Sequence, residues 1–136
     1  MRTLRTALSC SRKPHFITSL LALLILSATA LAQTAFVRVN QMGYVSGAAK
    51  RAYLMASGTE TGATFVLKNS SGSAVFGPAA IGANLGSWST AYPDVYALDF
   101  DSFTTAGTYT ISVSGTIAAT SPSFKIDTIN ILTLSR

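Results

Sequence analysis

The sequence contains one cysteine, Cys10, and one histidine, His15. Both lie near the amino terminus, so the chain after residue 32 has neither. Without these side chains, that part of the chain cannot form disulfides, a Ser-His-Asp triad or the usual zinc sites. Its stability has to come from packing, which a domain of about 100 residues can supply.

Charged residues are also scarce, at 11% of the sequence, and the net charge of +5 is unevenly distributed. Four basic residues precede residue 16, namely Arg2, Arg5, Arg12 and Lys13. After residue 32, six basic side chains are balanced by five acidic ones, for a net charge of +1. Nucleic acid binding needs Lys and Arg clustered on one face. We therefore expect no nucleic acid partner.

Residues 1–32 are predicted to be a secretory signal peptide. A basic start, an apolar run from Phe16 to Leu26 and the small residues Ala28–Ala32 follow one another in the order that such signals require. The pattern Ala30-Leu31-Ala32 predicts cleavage after Ala32, with Ala30 as the alternative site. An uncleaved anchor is the other interpretation, but a membrane-spanning helix needs about 20 apolar residues. We expect a secreted protein, extracellular or periplasmic, with no membrane segment after cleavage.

Short alternating segments bounded by Gly, Pro, Asn and Ser predict β-strands in the rest of the chain. They lie at 37–39, 50–56, 63–68, 74–76, 95–100, 107–113 and 123–126. Between residues 77 and 93 the pattern weakens and predicts an irregular edge region and a loop. Turns spaced by about 8 to 12 residues are typical of an all-β sandwich. We place this domain at 33–127, with 128–136 as the start of a linker or an aberrant tail.

The segment Val37-Arg38-Val39-Asn40-Gln41-Met42-Gly43-Tyr44 resembles the opening of a known module. It is similar to the immunoglobulin-like domain that precedes the catalytic domain of many glycoside hydrolase family 9 enzymes, the cellulases and their relatives. The segments Lys50-Arg51-Ala52, 99–109 and 123–126 resemble later strands of that module. The matches occur in order over residues 36–127.

This resemblance implies an immunoglobulin-like β-sandwich of about seven strands that stabilises and orients a catalytic domain. In the family, a separate α/α-barrel domain provides the catalytic Asp and Glu residues that hydrolyse β-1,4-glucan, and the sequence contains no such domain. The chain therefore has no catalytic residue of that kind, and we expect no cofactor or metal. The expected partner is a family 9-type catalytic domain in an intact parent. A truncated gene and a stand-alone module both fit the sequence, and a free-standing carbohydrate-binding module is the alternative function.

Four residues are candidates for contacts with sugar or with a neighbouring domain. Trp88 and Tyr92, in the irregular region, have rings that could stack on a pyranose or pack against protein. Met42 and Tyr44, in the opening loop, could cover one end of the sandwich or dock a partner domain. Gly43 is predicted to allow the turn between them.

Three further residues are predicted to have structural roles. Asp99 and Asp101 have the separation of a glycosidase pair, but a small sandwich offers no obvious cleft for substrate. We expect Asp101 to cap its turn, and a calcium site is the alternative for the two carboxylates. Tyr109, near the start of a late strand, is the candidate for a tyrosine corner.

Overall fold

Two β-sheets that share one apolar core form the fold. A computed structural model describes residues 32–128, which contain nine strands and no helix. The strands are β1 (Ala35–Arg38), β2 (Tyr44–Val45), β3 (Arg51–Ala56), β4 (Thr64–Asn69), β5 (Ala74–Ala80), β6 (Asp94–Asp99), β7 (Gly107–Ser114), β8 (Ala119–Thr120) and β9 (Phe124–Asp127). The predicted signal peptide up to residue 31, and the tail from residue 129, lie outside the described residues. Within 32–128 there is no helix long and apolar enough to cross a membrane.

The smaller sheet has the strand order β1-β3-β6, and the larger sheet has the order β2-β9-β7-β4-β5, with β8 also paired to β7. Neighbouring strands are antiparallel, except for the parallel pair β2 and β9. The opening strand β1 lies at an edge of the smaller sheet. Seven of the nine strands have four or more residues, so the predicted all-β sandwich of about seven strands is confirmed.

The alternation that predicts the strands also builds the core. In the smaller sheet, Val37, Leu54 and Tyr96 are paired across the three strands and are at most 3% exposed. In the larger sheet, Leu67 and Ile111 are paired and fully buried. Each large apolar side chain removed from water stabilises the fold by about 1.5–3 kcal/mol. This shared layer takes the place of the disulfides that the composition excludes.

Strand β5 is longer than predicted. The prediction ended at residue 76, whereas β5 continues through Gly77 and Pro78 to Ala80. Proline has no N–H to donate, but β5 is an edge strand with one neighbour and tolerates the loss. Gly77 has a φ of 90°, and a Cβ there would lie 2.5 Å from the carbonyl oxygen of Phe65. Glycine is therefore needed for β5 to approach β4 so closely.

The two shortest strands, β2 and β8, were not predicted. Each has two residues, too few for alternation to be detected. The segment containing β2 was predicted to be a loop, and it instead begins with a turn and then pairs with the last strand. The other boundaries differ from the predicted ones by one or two residues, which is the usual uncertainty at element ends.

Substitutions at a buried and at an exposed strand position should differ strongly in their effect on the free energy of unfolding. Leu54 is fully buried in β3, whereas Val75 in β5 is 41% exposed. We expect Leu54→Ala to lower the free energy of unfolding by about 2–5 kcal/mol, because it leaves a cavity between the sheets. Val75→Ala should change it by no more than about 0.5 kcal/mol. Urea unfolding measures both, and equal losses would contradict the assignment of the core.

Candidate functional site

The opening loop lies beside the last strand, at the end of the sandwich where the chain leaves β9. We call this the exit end, formed by residues 40–49, Asp101 and Asp127. Tyr44 and Val45 pair with Ile126 and Asp127, and the Ser46 N–H donates to the Asp127 carbonyl at 2.7 Å. Gly43 has a φ of 93°, and a Cβ there would lie 3.0 Å from the Lys125 carbonyl oxygen. The motif therefore brings the loop against β9.

Tyr44 is packed into the exit end. Its ring contacts Phe100 and Phe124 edge to face, with centroids 5.1 and 5.4 Å away. Its hydroxyl accepts the Asn40 N–H at 3.0 Å and donates to the Arg51 carbonyl at 2.9 Å. Burial raises the pKa of Tyr44, although the hydrogen bond from Asn40 acts in the opposite direction. These contacts make Tyr44 part of the sandwich, whereas Met42, in the same loop, faces solvent and is 74% exposed.

Lys50, just before β3, is completely buried, and its burial was not predicted. Its Nζ donates to three carbonyl oxygens, those of Ala48 at 2.7 Å, Ser46 at 2.8 Å and Asp101 at 3.0 Å. Burying an ammonium group is costly unless its protons are hydrogen-bonded, and here each has an acceptor. Lys50 therefore ties the opening loop to the turn after β6. Every residue has a main-chain carbonyl, so the sequence gives no sign that three of them surround this lysine.

Asp99 and Asp101 have different partners and do not act as a pair. Asp99 lies directly opposite Arg51 across β3 and β6, and its two oxygens accept from Nε and Nη2 of that side chain at 2.5 and 2.9 Å. Asp101 was predicted to cap its own turn. Its carboxylate instead accepts the main-chain N–H of Lys50. Among residues 32–128, no three Asp, Glu, His or Cys side chains are grouped as metal ligands.

Trp88 and Tyr92 lie in one loop but in different surroundings. The segment before them pairs with β6, since the Gly82 N–H donates to Ala97 at 2.8 Å and the Leu85 N–H to Val95 at 2.7 Å. The Tyr92 ring is half-buried and packs edge to face against Phe36, 5.7 Å away. Trp88 is 73% exposed. Trp88 is therefore the more exposed of the two predicted candidates.

A cleft of about 360 Å³ opens at the other end of the sandwich. The cleft is lined by residues 59–63, 80–84 and Tyr96, and we call this end of the sandwich, together with the turn at 88–92, the far end. Its lining includes Thr59, Thr61, Asn84 and Tyr96. Asn84 also accepts the Gly86 N–H at 2.8 Å and donates to Asp94. The sequence did not predict this cleft, because its walls come from segments far apart in the chain, 59–63, 80–84 and Tyr96 of β6.

Glu60 closes the far end from inside. It is 4% exposed, and its two oxygens accept the N–H groups of Ile117 at 2.8 Å and Thr116 at 2.9 Å. Its own N–H donates to the Tyr96 hydroxyl at 2.9 Å. Both carboxylate oxygens are therefore used in holding the loop after β7. This role also gave no signal in the sequence.

Tyr109 lies near the start of β7, in the position predicted for a tyrosine corner. The residue is 6% exposed, and its ring packs edge to face on Phe103 at 5.1 Å. The hydroxyl donates to the Ala106 carbonyl at 3.3 Å. This is a long hydrogen bond between near neighbours, so we expect most of the residue's contribution to come from the buried ring.

The two packed sheets of residues 32–128 define an immunoglobulin-like β-sandwich. Residues 32–117 match the family model described as the cellulase N-terminal ig-like domain. The match spans more than half of the sequence, so the chain belongs to that family. No curated protein sequence matches it.

Solved structures of glycoside hydrolase family 9 proteins are similar to the chain. A family 9 protein from Bacteroides ovatus is 32% identical, with a TM-score of 0.52, over 67% of this chain and 15% of its own length. A metagenome-derived family 9 endoglucanase is 23% identical, with a TM-score of 0.55, over 68% of this chain and 18% of its own length, and supports the fold alone. The chain thus corresponds to less than a fifth of either protein.

The contacts of Lys50 predict a large effect of its removal. Lys50→Met should lower the free energy of unfolding by about 1–3 kcal/mol, because three carbonyl oxygens lose their buried donor. Lys125 is exposed on β9, so Lys125→Met should change stability by no more than about 0.5 kcal/mol. Urea unfolding of the two variants measures the difference. A Lys50→Met protein as stable as the parent would show that the network does not hold the loop.

Removing a hydroxyl should cost more at Tyr44 than at Tyr109. Tyr44→Phe removes two hydrogen bonds, each worth about 0.5–1.5 kcal/mol, so we expect a loss of about 1–3 kcal/mol. Tyr109→Phe removes one hydrogen bond and should cost about 0.5–1.5 kcal/mol. Thermal unfolding of both variants measures this order. An unchanged melting temperature in Tyr109→Phe would exclude the corner role.

The raised pKa of Tyr44 also predicts alkaline sensitivity. The protonated phenol is favoured in the folded state, so its contribution is complete below the unfolded pKa of about 10 and is lost as pH rises through the higher folded value. Stability measured from pH 9 to 12 should therefore fall more steeply in the parent protein than in Tyr44→Phe. If stability falls equally with pH in the parent protein and in Tyr44→Phe, ionisation of Tyr44 is not coupled to unfolding.

Proposed function

We propose that this chain is a non-catalytic N-terminal module of a secreted family 9 glycoside hydrolase. In this proposal the module stabilises and orients a catalytic domain that follows β9, and the intact enzyme hydrolyses β-1,4-glucan. Family membership supports the class of parent, and the geometry of the exit end supports the role. The single observation behind the role is the parallel pairing of β2 with β9, next to the exposed Met42.

The pairing determines where a following domain begins. A chain that leaves β9 at Asp127 starts next to Val45 and Ser46, because these residues are bonded to it. The first surface available to such a domain is therefore the opening loop. Met42 offers an apolar side chain there, 74% exposed, of the kind that becomes buried when domains dock.

The network beneath the loop suits a docking surface. Lys50 and Tyr44 hold the loop through five hydrogen bonds, with three carbonyl oxygens on the ammonium group and two partners on the hydroxyl. A surface that is ordered before binding loses little conformational entropy when the partner arrives. The proposed function therefore uses the buried polar groups as supports, with Met42 as the contact.

The acidic side chains of the module support a non-catalytic role. Glycoside hydrolysis uses two carboxylates on either side of the scissile bond. The carboxylate of Asp99 binds Arg51, and those of Asp101 and Glu60 bind main-chain N–H groups. These three carboxylates are therefore used in contacts within the module. In this proposal hydrolysis belongs to the neighbouring domain.

The test is a fusion of this chain to a family 9 catalytic domain whose own module has been removed. We expect the fusion to raise the midpoint of heat inactivation of glucan hydrolysis relative to the isolated domain. Met42→Lys should lower that midpoint by about 2–4 °C, corresponding to about 1 kcal/mol of lost contact. The same change should leave the melting temperature of the module alone unaltered, because Met42 is exposed.

Leu85→Lys is the matched control. Leu85 is also an exposed apolar residue, at 58%, but it lies next to β6 and away from the exit end. Its replacement should leave the inactivation midpoint of the fusion unchanged. A fusion no more stable than the isolated domain, or an equal effect of the two variants, would reject the proposed interface.

A further inference from the structure

Trp88 is the sole tryptophan of the chain and is 73% exposed. Hydrogen bonds of the main chain hold its backbone in place. The main-chain N–H of Trp88 donates to the Tyr92 carbonyl at 3.0 Å, and the main-chain N–H of Tyr92 donates to the Ser89 carbonyl at 3.0 Å. Packing of Tyr92 on Phe36 fixes the same turn to the smaller sheet. An indole presented to solvent on a fixed support is suited to stack on a flat apolar surface.

The far-end cleft belongs to the same loop as Trp88. Asn84 lines the cleft and accepts the Gly86 N–H, two residues before the turn that presents Trp88. The polar side chains of the lining are mainly hydroxyls and an amide, from Thr59, Thr61, Tyr96 and Asn84. Glu60, also in the lining, has both oxygens bonded to main-chain N–H groups. The cleft therefore matches a neutral, hydroxyl-rich ligand.

Tyr96 adds a buried donor to this lining. The residue is 3% exposed, and its hydroxyl accepts the Glu60 N–H at 2.9 Å. Within residues 32–128, the hydrogen bonds of this hydroxyl include no acceptor for its own proton. A phenol that accepts one hydrogen bond can still donate another. The cleft thus has a donor for a ligand oxygen.

This surface is remote from the exit end. The loop that carries Trp88 enters β6 at its first residue, Asp94. Tyr44 lies at the opposite end of this strand, because it is hydrogen-bonded to Arg51, the partner of Asp99. A strand rises about 3.3 Å per residue, so Asp94 and Asp99 are separated by about 16 Å. Trp88 and the exit end therefore lie at opposite ends of β6.

We infer that the far end binds a neutral β-1,4-linked hexose chain. Trp88 stacks on the apolar face of one pyranose, and Thr59, Asn84 and Tyr96 bond to the hydroxyls of the chain in the cleft. A pyranose suits this site because its axial C–H face is apolar while its rim is hydroxylated. The β-1,4 linkage and the choice of glucan as the first probe rest on the proposed function.

Fluorescence titration of the purified chain with cellohexaose tests the site directly, because Trp88 is the sole tryptophan. We expect the emission maximum to move to shorter wavelength and quenching by acrylamide to fall, since the sugar displaces water from the ring. Thr59→Val, which removes one hydroxyl from the rim, should bind more weakly while keeping the same final spectrum. An emission spectrum unaffected by millimolar cellohexaose and mannohexaose would overturn the inference.

Gel retardation in soluble hydroxyethyl cellulose provides a second measurement that does not depend on fluorescence. Trp88→Ala should bind at least about tenfold more weakly than the parent chain, because a buried tryptophan contact is worth more than about 1.4 kcal/mol. Met42→Ala is the control, since Met42 is 74% exposed at the exit end. Unchanged melting temperatures would show that both variants are folded. If Trp88→Ala is retarded as strongly as the parent chain, the proposal that Trp88 binds the sugar is wrong.

The two proposals fail in different ways. A spectral shift with mannohexaose but not with cellohexaose would support the far-end site and contradict glucan as its ligand. Binding of cellohexaose together with a fusion of unchanged heat stability would support the site and contradict the docking role. If neither the fluorescence shift nor the gel retardation is observed while the fusion is stabilised, the far-end site is rejected and the docking proposal stands.

Discussion

The buried ammonium group of Lys50 is the interaction on which the exit end depends. An isolated charge in an apolar interior costs several kcal/mol, so it persists only where the surroundings satisfy all of its protons. Here the surroundings are the carbonyls of Ser46, Ala48 and Asp101, which belong to two different loops. One side chain thereby ties the opening loop to the turn after β6. Tyr44 completes the closure by joining Asn40 to Arg51.

The far end solves the same problem with the opposite charge. Glu60 is buried there, and it binds main-chain N–H groups where Lys50 binds carbonyls. Loops at the ends of a sandwich leave main-chain polar groups that no strand can pair. A buried side chain of either sign can satisfy several of them at once, without a disulfide or metal. This explains how a chain with no cysteine after residue 32 keeps both ends ordered.

Sequence patterns predicted what depends on periodicity and missed what depends on long-range contact. Alternation in β7 predicted a strand because Tyr109, Ile111 and Val113 all face the core. The opening motif at residues 37–44 indicated the family by resemblance. In the structure its Gly43 lies against Lys125 and its Tyr44 packs on Phe124. The burial of Lys50 and Glu60 could not be predicted, since their partners at Asp101 and Thr116 are about 50 residues or more away. The difference between Trp88 and Tyr92 depends in the same way on Phe36, in another strand.

The separation of the two ends has a consequence for how such a module could act in an enzyme. A sugar site on the docking surface would compete with the partner domain for the same residues, whereas the structure places Trp88 and Met42 at different ends. A module joined at one end and bound to polymer at the other would raise the effective concentration of substrate without altering the catalytic groups. The effective concentration is highest when the connection matches the distance between the two sites, and a rigid spacer fixes that distance. The packed sandwich between Leu54 and Ile111 is such a spacer, so the core links the two surfaces mechanically while keeping them chemically independent.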